Sequence, residues 1–145
     1  MRSLLLLVSL LLLGGCITHR PEARVLDAAL VEESPDGSRV EFVVEIDNPR
    51  DVGYPILDAR YTVDVEGAGP FSFTAYPVEA LPAEGTQRLL LAGAFDRTGL
   101  AGRRWRVNGS LTYQPGGNLR AVGTDLGIPL PSVAFNGEGV LQAVR

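Results

Sequence analysis

Residues 40–47 read Val-Glu-Phe-Val-Val-Glu-Ile-Asp. Val40, Phe42, Val44 and Ile46 take alternate positions, and Glu41, Val43, Glu45 and Asp47 lie between them. In extended chain successive side chains point to opposite faces, so this pattern describes a strand with one face on a core and the other in water. A helical stripe would recur at three and four residues, and no such spacing fits. The same period returns twice. Leu57, Ala59, Tyr61, Val63 and Val65 alternate with Asp58, Arg60, Thr62 and Asp64. Trp105, Val107, Gly109, Leu111 and Tyr113 alternate with Arg106, Asn108, Ser110, Thr112 and Gln114. Three half-buried strands of this kind belong to antiparallel sheets.

Weaker stretches lie around them. Arg24 to Val31 and Phe71 to Tyr76 each carry apolar residues suited to a strand. Gln87 to Phe95 holds Leu89, Leu90 and Leu91 in succession, which predicts a strand covered on both faces. The last strand falls in Leu119 to Leu126 or in Val133 to Val140. Pro35-Asp36-Gly37 and Glu66 to Pro70 read as turns, Pro115-Gly116-Gly117-Asn118 closes a hairpin, and Asn136-Gly137 suits a tight turn. Asp96 to Gly102 has room for one helical turn and no more, because of Gly99 and Gly102. About seven strands separated by such turns predict an all-β fold, an antiparallel β-sandwich of the fibronectin-III/immunoglobulin-like kind.

Composition narrows the chemistry. All 13 basic residues of the 145-residue chain are arginine, and His19 and Cys16 are the single histidine and cysteine. Without lysine there is no phosphate-loop NTPase, no Schiff base and no Ser-x-x-Lys nucleophile. One cysteine allows no internal disulfide, and one His with one Cys allows no structural zinc site. A Ser-His-Asp triad would need His19, which lies in the short segment before the first strand, with no rigid scaffold to aim it.

The N-terminus reads as an address. Met1-Arg2-Ser3 is a short basic start, and Leu4 to Leu13 is an apolar run broken by Ser9. As a helix the run reaches about 15 Å, roughly half a bilayer core, which fits a signal-peptide core and not a spanning helix. It ends in Leu13-Gly14-Gly15-Cys16, which resembles the lipobox of bacterial lipoproteins. The resemblance implies cleavage before Cys16 and acylation of its thiol, with two or three acyl chains giving a stable membrane anchor. Residues 1–15 then form the signal peptide, 16–23 a lipidated tether and 24–145 the domain. The tether from Ile17 to Ala23 spans at most about 23 Å, so the domain stays near the membrane. Ile17 follows the cysteine where an Asp often marks inner-membrane retention in sorted lipoproteins, so the resemblance implies the outer membrane, facing the periplasm, if the cell is Gram-negative.

Loss of Arg2 leaves 12 arginines against 17 acids, a formal charge of −5. Phosphate contacts dominate nucleic-acid affinity, so an acidic domain argues against such a partner. Arg103, Arg104 and Arg106 read as a solvated strand edge with local ion pairs. A paired-carboxylate hydrolase is formally open, for example through Glu45 with Asp58, though both fall on outward positions of ordinary strands. Asp47, Asn48 and Asp51 offer oxygens to calcium without the spacing of a calcium loop. No catalytic residue, metal site or cofactor is expected. Trp105 heads an apolar face and reads as a core aromatic.

The segment from Val40 to Phe95 resembles the group 2 late embryogenesis abundant (LEA) proteins, the water stress and hypersensitive response (WHy) domain. A strand runs into Asn48-Pro49, Tyr54-Pro55 follows in a short loop, and the next strand carries Leu57 and Tyr61 and ends at Val65-Glu66-Gly67. Phe71, Phe73, Leu81-Pro82-Ala83-Glu84-Gly85 and Leu89-Leu90-Leu91 come in order, and Gly137-Glu138-Gly139-Val140-Leu141 approaches the family's ending. Arg50 stands where the family often has a second Asn. The resemblance implies a fibronectin-like sandwich linked to desiccation and water stress, with no established catalysis. Asn48 and Pro49 have a structural account of their own: Pro49 ends the strand, and the Asn48 side chain sets the turn. Two functional classes follow. One is a non-catalytic stress domain on a lipid anchor. The other is an envelope binding or assembly module that holds a protein partner through a sheet edge or the loop from Pro49 to Pro55.

Overall fold

The computed structural model describes residues 20–116 and 127–143. Among these residues there are nine strands and no helix: β1 (Glu22–Ser34), β2 (Gly37–Asn48), β3 (Tyr54–Val65), β4 (Gly69–Ala75), β5 (Ala80–Leu81), β6 (Gly85–Phe95), β7 (Arg104–Tyr113), β8 (Ser132–Val140) and β9 (Gln142–Ala143). The seven long strands match the alternating and apolar stretches of the sequence. The two-residue strands β5 and β9 carry no pattern that could announce them.

One sheet has the order β6-β2-β1-β9. The other has β4-β3-β7-β8, with β5 paired to the start of β3. All long pairings are antiparallel, and only the short β1–β9 pairing is parallel. The sheets pack face to face as a β-sandwich. Val40, Phe42, Val44 and Ile46 of β2 are fully buried, as are Ala59, Val63 and Val65 of β3. Phe42 meets Trp105 of the other sheet edge-on, with ring centroids 5.5 Å apart. Phe71 and Phe73 of β4 stand against Phe95 of β6. The Tyr61 hydroxyl crosses from β3 to donate to the Ala92 carbonyl of β6 at 2.6 Å.

Close approach of the strands depends on two glycines. Gly109 of β7 lies between Tyr61 and Phe135 on the flanking strands, and a Cβ there would stand 2.5 Å from the Phe135 ring. The two aromatic side chains fill the space the glycine leaves. Gly137 of β8 lets that strand approach β1, since a Cβ would stand 2.6 Å from that of Val25. Past Leu141 the chain leaves the β7 sheet and β9 joins β1, so the C-terminal segment closes one side of the sandwich. Leu141 itself bonds Arg103 and Gly102 through its backbone.

Five local expectations change. Tyr54 and Pro55 are not in a loop but open β3, paired with β5. Leu89 and Leu91 are buried but Leu90 is 67% exposed: β6 pairs only with β2 among the described strands and has one covered face, not two. In β3 a bulge between Ile56 and Asp58 puts Ile56 on the core in place of Leu57, which is half-buried. Asn136-Gly137 is no turn but the middle of β8, where small size is what Gly137 supplies. Residues 96–102 form no helical turn, and Leu100 plugs that end of the core. The candidate strand over Leu119 to Leu126 lies outside the described residues, and the hairpin at Pro115 to Asn118 lies partly outside them.

Replacing Phe42 or Val63 by Asp would bury an unpaired carboxylate between the sheets, and each should unfold the domain. Glu41→Gln and Thr62→Ser, on outer faces, should change stability by less than about 0.5 kcal/mol. Circular dichroism and urea unfolding separate the two outcomes.

Candidate functional site

The alternation of β2 carries Asn48 onto the inner face after Ile46, and Pro49, which cannot donate to a ladder, ends the strand. Asn48 is therefore a wholly buried amide at the end of the sandwich. Its Nδ2 donates to the carbonyls of Val52 at 2.9 Å and Pro82 at 2.7 Å. Its Oδ1 accepts from the Arg50 backbone N–H at 3.2 Å. One side chain thus ties the β2–β3 loop to the segment that leads into β6. The Glu84 N–H donates to the Arg50 carbonyl at 2.6 Å and fixes the same two segments. Tyr61, the third residue of the family pattern, lies in mid-strand and joins the sheets instead.

Around this amide the Arg50 guanidinium donates to the Tyr54 hydroxyl at 3.2 Å, and the Tyr54 ring lies against Tyr113, with centroids 5.3 Å apart. Burial pushes the Tyr113 hydroxyl up, and the guanidiniums of Arg50 and Arg20 oppose the rise. Pro21 is buried at the root of β1. The segments 49–53, 76–84, 114–116 and 127–131 reach this end, together with the start of β1.

The outer faces carry the charge. Glu45 projects from the outer face of β2, yet it is only 9% exposed because Arg24 of β1 and Arg88 of β6 close over it. Arg24 reaches Oε1 at 2.6 Å and Arg88 reaches Oε2 at 2.9 Å. The hydrogen bonds from Arg24 and then Arg88 hold the Glu45 carboxyl below the usual carboxylate range. Asp58 lies on the other sheet and accepts from Thr112 at 3.1 Å. Glu45 and Asp58 therefore face away from each other, and the arrangement offers no paired-acid chemistry. Asp47 and Asn48 likewise point to opposite faces of β2, with the Asp47 carboxylate taking the Thr86 hydroxyl. Among the described residues no three His, Cys, Asp or Glu side chains gather as metal ligands.

Trp105 is 6% exposed and packs in the core, and its indole N–H has no partner among the described residues. Outside it, Arg106 pairs loosely with Glu138 at 3.5 Å beside an open hollow of about 680 Å³ that Asp64 and Arg104 also line. Arg103 contributes backbone bonds to the closing segment, and because β7 lies between β3 and β8, Arg104 and Arg106 stand on an exposed outer face and not on the sheet edge expected from the sequence. Cys16, the residues Leu13, Gly14 and Gly15 before it, and His19 lie outside the described residues. Among the described residues no helix is long and apolar enough to cross a membrane.

The chain is similar over 99% of its length to the solution structure of a protein described as late embryogenesis abundant, covering 87% of that protein at 18% identity with a TM-score of 0.60. It has the LEA-type fold. A second solution structure, of an Arabidopsis thaliana protein, matches 86% of this chain and 83% of its own at 17% identity and a TM-score of 0.57. A crystal structure of a protein from Archaeoglobus fulgidus matches 83% of this chain and 99% of its own at 10% identity and a TM-score of 0.52. No family model matches the chain, and no curated protein matches it by sequence. The LEA-type sandwich agrees with the family resemblance carried by the run from Val40 to Phe95.

The Glu45 clamp was not visible in the sequence, because Arg24 and Arg88 stand 21 and 43 residues away from it. Glu45→Gln should lower the urea midpoint at neutral pH. The folded carboxyl titrates below its unfolded range, so the stabilisation is complete above that range and fades as pH falls through it. The difference between the wild type and Glu45→Gln should therefore shrink on acidification. Asn48→Ala leaves two carbonyls and an N–H without their partner and should cost about 3 kcal/mol, read by urea unfolding.

Proposed function

We propose that this protein is a lipid-anchored, non-catalytic domain of the cell envelope that protects its surroundings against desiccation and water stress. The observation that carries the reading is the LEA-type sandwich over nearly the whole chain, in register with a family pattern linked to water stress. The sequence Leu13-Gly14-Gly15-Cys16 behind an apolar core supports the anchor, and Ile17 after the cysteine supports the outer membrane, facing the periplasm, where the cell has one.

Protection of this kind works through weak contacts. The outer faces present hydrated carboxylates such as Asp47, Asp64 and Glu138 to neighbouring surfaces. Many weak contacts without turnover need protein in roughly stoichiometric amount. They do not depend on any single acid, so protection survives Asp47→Asn as long as the fold does.

A second reading, an assembly module that holds an envelope protein, is favoured by one observation. The edge of β6 is unpaired among the described strands, and Leu90 stands exposed there beside half-buried Val43.

Cells making the wild type should incorporate labelled palmitate into the protein, and Cys16→Ser should abolish the label and leave uncleaved precursor. A reporter enzyme dried with the domain should keep more activity than with an equal mass of albumin, and a deletion strain should lose viability on drying. Protection no better than albumin, with an unaltered deletion strain, overturns the stress reading and leaves the assembly module.

A further inference from the structure

The two ends of the sandwich differ in what they expose. At one end the turns at 35–36 and 66–68 and the loop 96–103 carry Asp36, Glu66, Asp96, Arg97 and Arg103, Leu100 of the loop is buried, and one large apolar side chain, Val140 at the end of β8, is 52% exposed. At the other end the loops hold up five large apolar side chains. Val78 is 98% exposed and Tyr76 76%, with Ile128 at 57%, Leu130 at 47% and Val52 at 45%. Apolar groups gathered at loop tips in this way mark an interaction surface.

The chain itself indicates what covers that surface. β1 starts at Glu22, opposite Asp47 near the end of β2, so the described chain begins at the apolar end. Buried Pro21 fixes its direction of approach. Cys16 lies four residues before Arg20, a reach of at most about 14 Å in extended chain. We infer that the loop end bearing Val52, Tyr76, Val78, Ile128 and Leu130 lies against the lipid surface, with Tyr76 and Val78 entering the interface between headgroups and acyl chains. This rests on the proposed acylation of Cys16, which brings that end, and not the other, to the membrane. Tyr76 suits the interface, having an apolar ring and a polar tip.

The attraction is apolar. Among the described residues Arg20 and Arg50 are matched at this end by Asp51, Glu79 and Glu84, so these residues present no basic excess to anionic headgroups. The contact should be indifferent to salt and to the charge of the lipid. It also sets the molecule upright: Trp105 near the far end of β7 stands eight residues from Tyr113, about 27 Å along the strand, away from the bilayer.

The test uses the full lipidated chain in vesicles of phosphatidylcholine with brominated acyl chains. Acylation blocks Cys16, so Val78→Cys and Thr98→Cys can each be labelled singly with an environment-sensitive fluorophore. Mass spectrometry of the N-terminal peptide is read first. With Cys16 acylated, brominated lipid should quench the label at position 78 several-fold more than the label at 98, in low and high salt alike, and leave Trp105 fluorescence unchanged. Replacing Tyr76 by Ser in the Val78→Cys protein should reduce that quenching. Equal quenching at both positions with Cys16 acylated overturns this orientation and leaves the anchor standing. An unacylated Cys16 overturns both. A label at 78 shielded from lipid but crosslinked to a protein overturns the lipid assignment in favour of a protein partner.

Discussion

Asn48 is a polar group with no access to water, and the end of the sandwich is arranged to satisfy it. An amide buried without partners costs free energy comparable to a lost hydrogen bond for each group left unmade. Three backbone groups, on Val52, Pro82 and Arg50, meet that demand. Because Arg50 and Val52 belong to one loop and Pro82 to another segment, satisfying the amide also fixes where the two run. The loop tips that carry Val52 and Val78 project from this tied base, and the root of β1 enters beside it.

The rest of the architecture is closure. One side of the sandwich is sealed by the C-terminal segment, which belongs to the β7 sheet as β8 and to the β1 sheet as β9. Gly137 makes this possible by letting β8 come within contact of Val25. The other side holds β4 and β6, whose aromatic residues Phe71, Phe73 and Phe95 interlock between the sheets. Tyr61 adds a hydrogen bond across that gap to the carbonyl of Ala92 on β6, the end strand of its sheet among the described residues.

Charge is distributed differently from apolar surface. On the outer face of one sheet the Glu45 carboxylate lies between two arginines from neighbouring strands, a cross-strand ladder that holds three strands in register. On the other sheet Arg106 and Glu138 face each other across paired strands in the same manner. Acids placed like this tie neighbouring strands together through ion pairs. The proposed membrane contact would therefore draw on the loop end, where exposed apolar side chains outnumber those at the opposite end.

The sequence by itself determined the all-β class, the three clearly alternating strands and most of their buried faces. Alternation is local, and a strand with one wet face must show it whatever it pairs with. It also determined the candidate address, because an apolar core ending in Leu13-Gly14-Gly15-Cys16 is read from adjacent residues. Tertiary structure alone decided that Leu90 is exposed while Leu89 and Leu91 are buried, since three leucines in a row look alike until a neighbouring sheet covers one face. It decided the β3 bulge that exchanges Leu57 for Ile56, the strand role of Asn136-Gly137 and the two short strands. It also decided that Glu45 and Asp58 stand on opposite sheets, and that the apolar loop tips share an end with the start of β1. These facts depend on contacts between residues distant in the chain, and no local period or spacing encodes such contacts.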